Sequence, residues 1–200
     1  MRTVGTEASA EYRLQGMIDA MCRYATDGDG RLVFVDAGWR RFARENGAPD
    51  FAEPEHLYGR PLLSFITDST TLHVYTVLMD RVVNDGRTVL IPFRCDGPPV
   101  RRWLELQMTP RPGGGIDFAT RQIRAERRAV PLPFDRPGPP ADTMMRMCSW
   151  CKNVQMDSGQ WARVEDAVKT FQIFTDTEVP QITHGICPEC VTMFERDVRR

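Results

Sequence analysis

Residues 88–124 read TVLIPFRCDGPPVRRWLELQMTPRPGGGIDFATRQIR, and this stretch decides the fold of the larger part of the chain. Within it Arg102 to Met108 alternates: Leu104, Leu106 and Met108 fall on one face, Trp103, Glu105 and Gln107 on the other. Period two is the signature of a strand with one face in a core. The apolar runs on either side, Thr88 to Cys95 and Ile116 to Ile123, supply two further strands. Asp96-Gly97-Pro98-Pro99 and Pro110 to Gly115 are the turns between them, since glycine and proline supply the backbone angles a turn needs. Three consecutive antiparallel strands are expected.

Upstream the period changes to that of helices. A helix is expected over Glu7 to Ala20, with Tyr12, Leu14, Met17 and Ile18 as a stripe that can meet a second copy or cover a sheet. Asp27 to Gly30 marks a turn into a strand, Arg31 to Val35. Asp36 is a good N-cap for a helix reaching about Glu45, with Trp39, Phe42 and Ala43 on one face and Asn46-Gly47 at its end. Gly59 to Leu63 begins a short element, and a longer helix is expected over Ser69 to Val83, closed by Asn84-Asp85-Gly86. Strand, short helices, long helix and three strands make an α+β plan, with helices packed to one side of the sheet.

Three stretches, ATDGDGRLVFVDAGWRRFARENG (25–47), YGRPLLSFI (58–66) and IPFRCDGPPVRRWLELQMTP (91–110), resemble a PAS sensor domain in their order. The resemblance covers roughly Met21 to Arg124. It implies a first hairpin, a five-stranded antiparallel sheet around a ligand pocket or partner surface, and often a dimeric bacterial signalling protein. Flavin photosensors of that family need an asparagine-cysteine-arginine motif, which the stretch after Gly59 lacks. A haem-binding member needs an axial histidine, commonly on the long helix, where His73 stands; the plainer reading of His73 is a surface or core residue. The PAS ligand and its binding residues stay unknown. His56 reads as solvated, and Cys22 and Cys95, each alone, as small apolar residues rather than redox groups.

Ala129 to Asp142, AVPLPFDRPGPPAD, carries five prolines and a glycine. Such a stretch reads as an extended, semi-rigid spacer. The expected organisation is a PAS-like sensory or dimerisation domain over 1–125, a linker over 126–143, and a small module over 144–200.

That module carries CSWC and CPEC, 35 residues apart, placing Cys148, Cys151, Cys187 and Cys190 as four thiolates for one metal ion. Four sulfurs close a tetrahedral zinc site and leave no position for substrate, so the expected cofactor is one structural zinc per chain. Two disulfides or four buried thiols are the alternatives, but a CxxC disulfide closes a tight ring and paired CxxC elements seldom arise without a metal. Asp157-Ser158-Gly159 marks a hairpin between Asn153 to Met156 and Gln160 to Arg163. Val164 to Phe174 has a helical stripe, Val179-Pro180 ends it, and Ile182 to Ile186 leads to a final helix opened by Pro188. Knuckle, hairpin and a helix start bearing two ligands form the layout of a treble-clef zinc finger. MCSWCKNV (147–154), Trp161 and ITHGICPECV (182–191) also resemble a short module at the C-termini of bacterial PAS-containing sensor and response proteins. His184 is a neighbour of the site rather than a ligand, and Trp150 and Trp161 are packing for the little core rather than a stacking platform.

The composition excludes some functions. A formal charge of -1 offers no global attraction to nucleic acid or anionic membrane, and no apolar run approaches a membrane span. The first 16 residues lack the apolar core of a secretory signal, and metal-spaced cysteines suit a reducing cytoplasm. No G-x-S-x-G elbow, H-E-x-x-H helix or complete phosphate loop occurs, so no catalytic residue is named and no enzyme is expected. The reading is a cytoplasmic signalling protein, dimeric, acting through a protein partner. The alternative is a nucleic-acid-binding transcriptional regulator using the zinc module with Arg121, Arg124, Arg127 and Arg128 or Arg196, Arg199 and Arg200; Glu126, Glu195 and Asp197 dilute both clusters.

Overall fold

A computed structural model describes residues 20–96, 100–127, 140–170 and 179–198. The fold is mixed α+β, built on a five-stranded antiparallel sheet of order β2-β1-β5-β4-β3. Its strands are β1 (Ala20–Thr26), β2 (Leu32–Val35), β3 (Val89–Arg94), β4 (Val100–Pro110) and β5 (Ile116–Arg127). Between β2 and β3 lie helix α1 (Ala37–Glu45), three short 3-10 turns and helix α2 (Ser69–Asp85). The expected strands and helices stand close to their sequence bounds. The helix expected over Glu7 to Ala20 falls outside the described residues except for Ala20, which opens β1.

Alternation in β4 does what its pattern dictates: Leu104, Leu106 and Met108 are buried while Trp103, Glu105 and Gln107 are half-exposed. Tyr24 faces Phe118, Phe118 faces Met108, and Met108 faces Val89, so one row of large side chains crosses four strands. The Tyr24 and Phe118 rings stack with centroids 4.6 Å apart. Val74, Leu78 and Val82 of α2, four and four residues apart, close the same core.

Both helix starts are capped, that of the first helix as expected from Asp36. Asp36 accepts the Trp39 amide at 2.7 Å and Asp68 accepts that of Thr71 at 2.8 Å. Gly86 ends α2 at φ 64, the left-handed angle that favours glycine. Asp36→Ala is expected to cost about 1 kcal/mol. In a chain of this size that lowers Tm by roughly 2–4 °C, readable by thermal circular dichroism.

A second sheet, of order β8-β7-β6-β9, comprises β6 (Pro140–Cys148), β7 (Val154–Gln155), β8 (Trp161–Ala162) and β9 (Val179–Gly185). Helices α3 (Val164–Thr170) and α4 (Pro188–Val198) complete it. The hairpin around Asp157–Gly159 forms as read, and Pro188 opens α4. Two expectations are corrected. The ends of the expected spacer are strand: β5 runs to Arg127 and β6 begins at Pro140, where a strand's first residue tolerates a missing N–H. Val179-Pro180, expected to end a helix, opens β9, an edge strand that can also carry a proline. β6 and β9 run parallel, with Met145 opposite Ile182 and Met147 opposite His184. Residues 128–139 and 171–178 fall outside the described residues.

The second sheet has a small core of its own, Met145, Met147, Val154, Val164 and Ala167. The cysteine-bearing end does not stay within it. Cys148, Trp150, Cys187 and Cys190 belong to the same apolar cluster as Phe118, Met108 and Leu78 of the first sheet.

Candidate metal centre

Each cysteine is placed by a different local device. β6 delivers Cys148, whose amide donates to Asn153 O at 2.7 Å and whose carbonyl accepts the Lys152 amide at 3.0 Å. These bonds fold Cys148–Asn153 into a tight knuckle and hold Lys152 at φ 63. The Ser149 amide donates to Gly185 O, pinning the knuckle to the end of β9. One residue past Gly185 and Ile186, Cys187 stands just before α4, and Cys190 lies in its first turn.

The four Sγ atoms lie within 4.8 Å of one another, and Cys151 and Cys187 are 3.6 Å apart. A tetrahedron of sulfurs 2.3 Å from a metal has edges of about 3.8 Å. The Cys187 amide points at Cys148 Sγ from 3.5 Å, the kind of bond that orients a ligating thiolate. Three of the four cysteines are buried, and none is in a disulfide. The four residues singled out from the sequence are therefore brought together, and the cluster can hold a metal ion. S–H groups of Cys151 and Cys190 hold the Cys148 thiol far below its ordinary value against the cost of burial, while Cys151 is pushed up to about 12 by Cys148. Bringing four thiolates to this spacing would require a cation between them.

His184 lies exposed on β9, outside the cluster of four. His73 is exposed on α2, and His56 is exposed with Nδ1 3.1 Å from Asp50 O. Arg121 pairs with Glu105 at 2.6 Å and Arg124 pairs with Glu126, so these two basic residues are partly offset. Arg128, Arg199 and Arg200 fall outside the described residues.

The sequence did not disclose where the knuckle docks. Trp150, between the first two cysteines, is 4 % exposed, and its Nε1 donates to Pro92 O of β3 at 2.6 Å. The Arg94 amide donates back to Trp150 O at 3.0 Å. The Trp150 ring meets Tyr75 of α2 at 6.2 Å, Phe93 of β3 at 5.9 Å and Phe194 of α4 at 5.0 Å. Trp150 thus packs as expected of it, but in the core of the first sheet. Ser149 Oγ donates to Asp68 Oδ2 at 2.7 Å, so the cap of α2 also holds the knuckle. A third tie is ionic: Glu165 of α3 receives Arg101 of β4 and, at 3.5 Å, Arg94 of β3.

Burial opposes the charge on Asp68, but bonds from Thr71, Ser149 and the Thr70 and Thr71 amides outweigh it and hold the carboxyl below its ordinary value. The unfolded chain then binds the proton more tightly, so this stabilisation is full above about pH 4 and is lost as pH falls through the folded value. Asp68→Asn should therefore lose less stability than the parent between pH 5 and pH 3. Urea unfolding of both chains at each pH checks this, and acid release of metal, common to both, cancels in the comparison.

A cavity of about 290 Å³ lies between the first sheet and its helices, lined by Cys22, Tyr24, Trp39, Phe42, Tyr75, Phe93, Cys95 and Thr120 among others. Burial pushes the Cys22 thiol up to about 11, against a bond from Thr120, and also raises Cys95. Both thiols therefore stay protonated at neutral pH, which suits apolar lining.

No family of known proteins matches the chain, and neither does any curated protein sequence. No helix among the described residues is long and apolar enough to cross a membrane.

Proposed function

We propose that the chain is a bacterial cytoplasmic regulatory protein, in which a PAS-like sensory domain is coupled to a treble-clef zinc module that binds a protein partner. Support for the PAS-like reading comes from the strand order β2-β1-β5-β4-β3, with the helices inserted between β2 and β3 and a cavity beneath them. Support for zinc comes from four cysteine sulfurs within 4.8 Å of one another, with two of them at the start of α4, where the helix dipole favours thiolate. Bound there, zinc would be structural, holding β6, the knuckle and α4 together.

One observation carries the sensory reading. Tyr75 and Phe93 line the cavity, and both touch Trp150, which sits between two of the four cysteines. A ligand that moved either ring would move the knuckle, and by linkage the state of the knuckle would alter the ligand's affinity. The output is then the exposed surface of the zinc module, offered to a partner.

Native mass spectrometry tests this reading. Expected is a dimer with one zinc per chain and a small molecule that is lost faster once zinc is chelated. A metal-free chain with disulfides in place of the thiols would contradict it, and so would a retained small molecule indifferent to chelation.

A further inference from the structure

A second concavity, about 470 Å³ and distinct from the 290 Å³ cavity, opens where the first sheet meets the knuckle. Phe93, Trp103 and Trp150 supply aromatic walls, and Arg94, Arg124 and Arg163 reach it from β3, β5 and the residue before α3. Rings of this kind accept a flat apolar body, and guanidinium forks accept a carboxylate or phosphate. The volume is that of a small-ligand site.

The charges are unevenly spent. Arg94 is buried and committed to Asp96 at 2.5 Å. Arg124 is largely exposed, and its partner Glu126 is not among the lining residues. Among the described residues no carboxylate pairs with Arg163. Cations are also crowded: the guanidiniums of Arg124, Arg101 and Arg94 stand 5.0, 5.5 and 5.7 Å from the centre of the one Trp103 ring. Burial, then Arg94 and, more weakly, Arg163 hold the Arg101 guanidinium below its ordinary value, against the opposing pull of Asp96 and Glu126. Asp96, Glu126 and Glu165 offset these three, so the guanidinium that reaches the groove without a carboxylate among the described residues is that of Arg163, with the exposed Arg124 beside it.

We infer that this groove binds a small planar aromatic anion, with the ring against Trp103 and the carboxylate or phosphate on Arg124 and Arg163. The inference rests on the metal centre proposed above, since Cys151 and Cys190 also line the groove, but not on a ligand in the smaller cavity, so it is tested on zinc-loaded protein.

The test titrates the full chain with 2-naphthoate, 2-naphthyl phosphate and the uncharged isostere 2-naphthol, read by calorimetry and amide chemical shifts. At least one anion should bind at least ten times more tightly than 2-naphthol, with shifts at 92–94, 103–104, 123–124 and 163. Whichever anion binds more tightly assigns the ligand to aromatic acids or to phosphate-bearing rings. Arg124→Gln and Arg163→Gln, both at exposed side chains that folding does not require, should each weaken binding by about tenfold. Equal affinity for 2-naphthol, unchanged binding by both variants, shifts centred on Cys22 and Thr120, or no binding at millimolar probe would each overturn the inference. So would variants that lower only zinc affinity, since the arginines would then serve merely to offset thiolate charge.

Discussion

Trp150→Ala is expected to cost about 3–5 kcal/mol, the range for emptying a fully buried aromatic site. The side chain fills a space bounded by α2, β3 and α4, so no single element can collapse into the gap. The Nε1 bond to Pro92 O is lost with it, leaving that carbonyl to find water. The damage should not stay in the second sheet, because the cluster that Trp150 enters also contains Leu78, Met108 and Phe118. Trp161→Ala is the control: Trp161 is only half-buried at the rim of the same cluster. Urea unfolding followed by circular dichroism should show the Trp150 variant losing at least twice as much stability as the Trp161 variant. Equal losses would mean that the knuckle merely rests on the sheet.

Removing the metal should have a larger effect still. Structural zinc in small peptides contributes apparent values of about 10–16 kcal/mol at neutral pH. Here the strands it anchors are short, two residues each in β7 and β8, and among the described residues their own buried core is five side chains. That core is too small to hold the module alone. Treatment with a strong chelator, or Cys148→Ser, is expected to abolish the helical signal of α3 and α4 and to make residues 140–198 sensitive to protease. Retention of full helical content in protein shown by mass to be metal-free would remove zinc from the account.

Much of this was legible before any coordinates. Leu104, Leu106 and Met108 announce their face by alternation, and Asp36 announces a helix start because few residues accept an N-terminal amide so well. The four cysteines were legible because a metal fixes both residue type and spacing. What stayed hidden depends on partners far away in sequence. The parallel pairing of β6 with β9 carries no local signal, since Met144-Met145-Arg146-Met147 reads the same whatever it pairs with. Pro140 concealed the start of β6, because its ring argues against a strand except at the first position or an edge. A tryptophan between two cysteines looks the same whether it enters its own small core or a neighbour's, so the docking of Trp150 on Pro92 had no precursor in the spacing. The same holds for Glu165, whose two arginine partners lie more than sixty residues earlier.

Hydrogen exchange of zinc-loaded and chelated protein, read peptide by peptide, tests the central claim that the metal cluster and the first sheet act as one body. The account predicts that chelation strips protection from residues 140–198. It also predicts losses in β3 around Arg94, whose amide bonds to Trp150 O, and at the start of α2, whose cap Asp68 holds Ser149. Loss confined to residues 140–198, with β3 and α2 as protected as before, would contradict it.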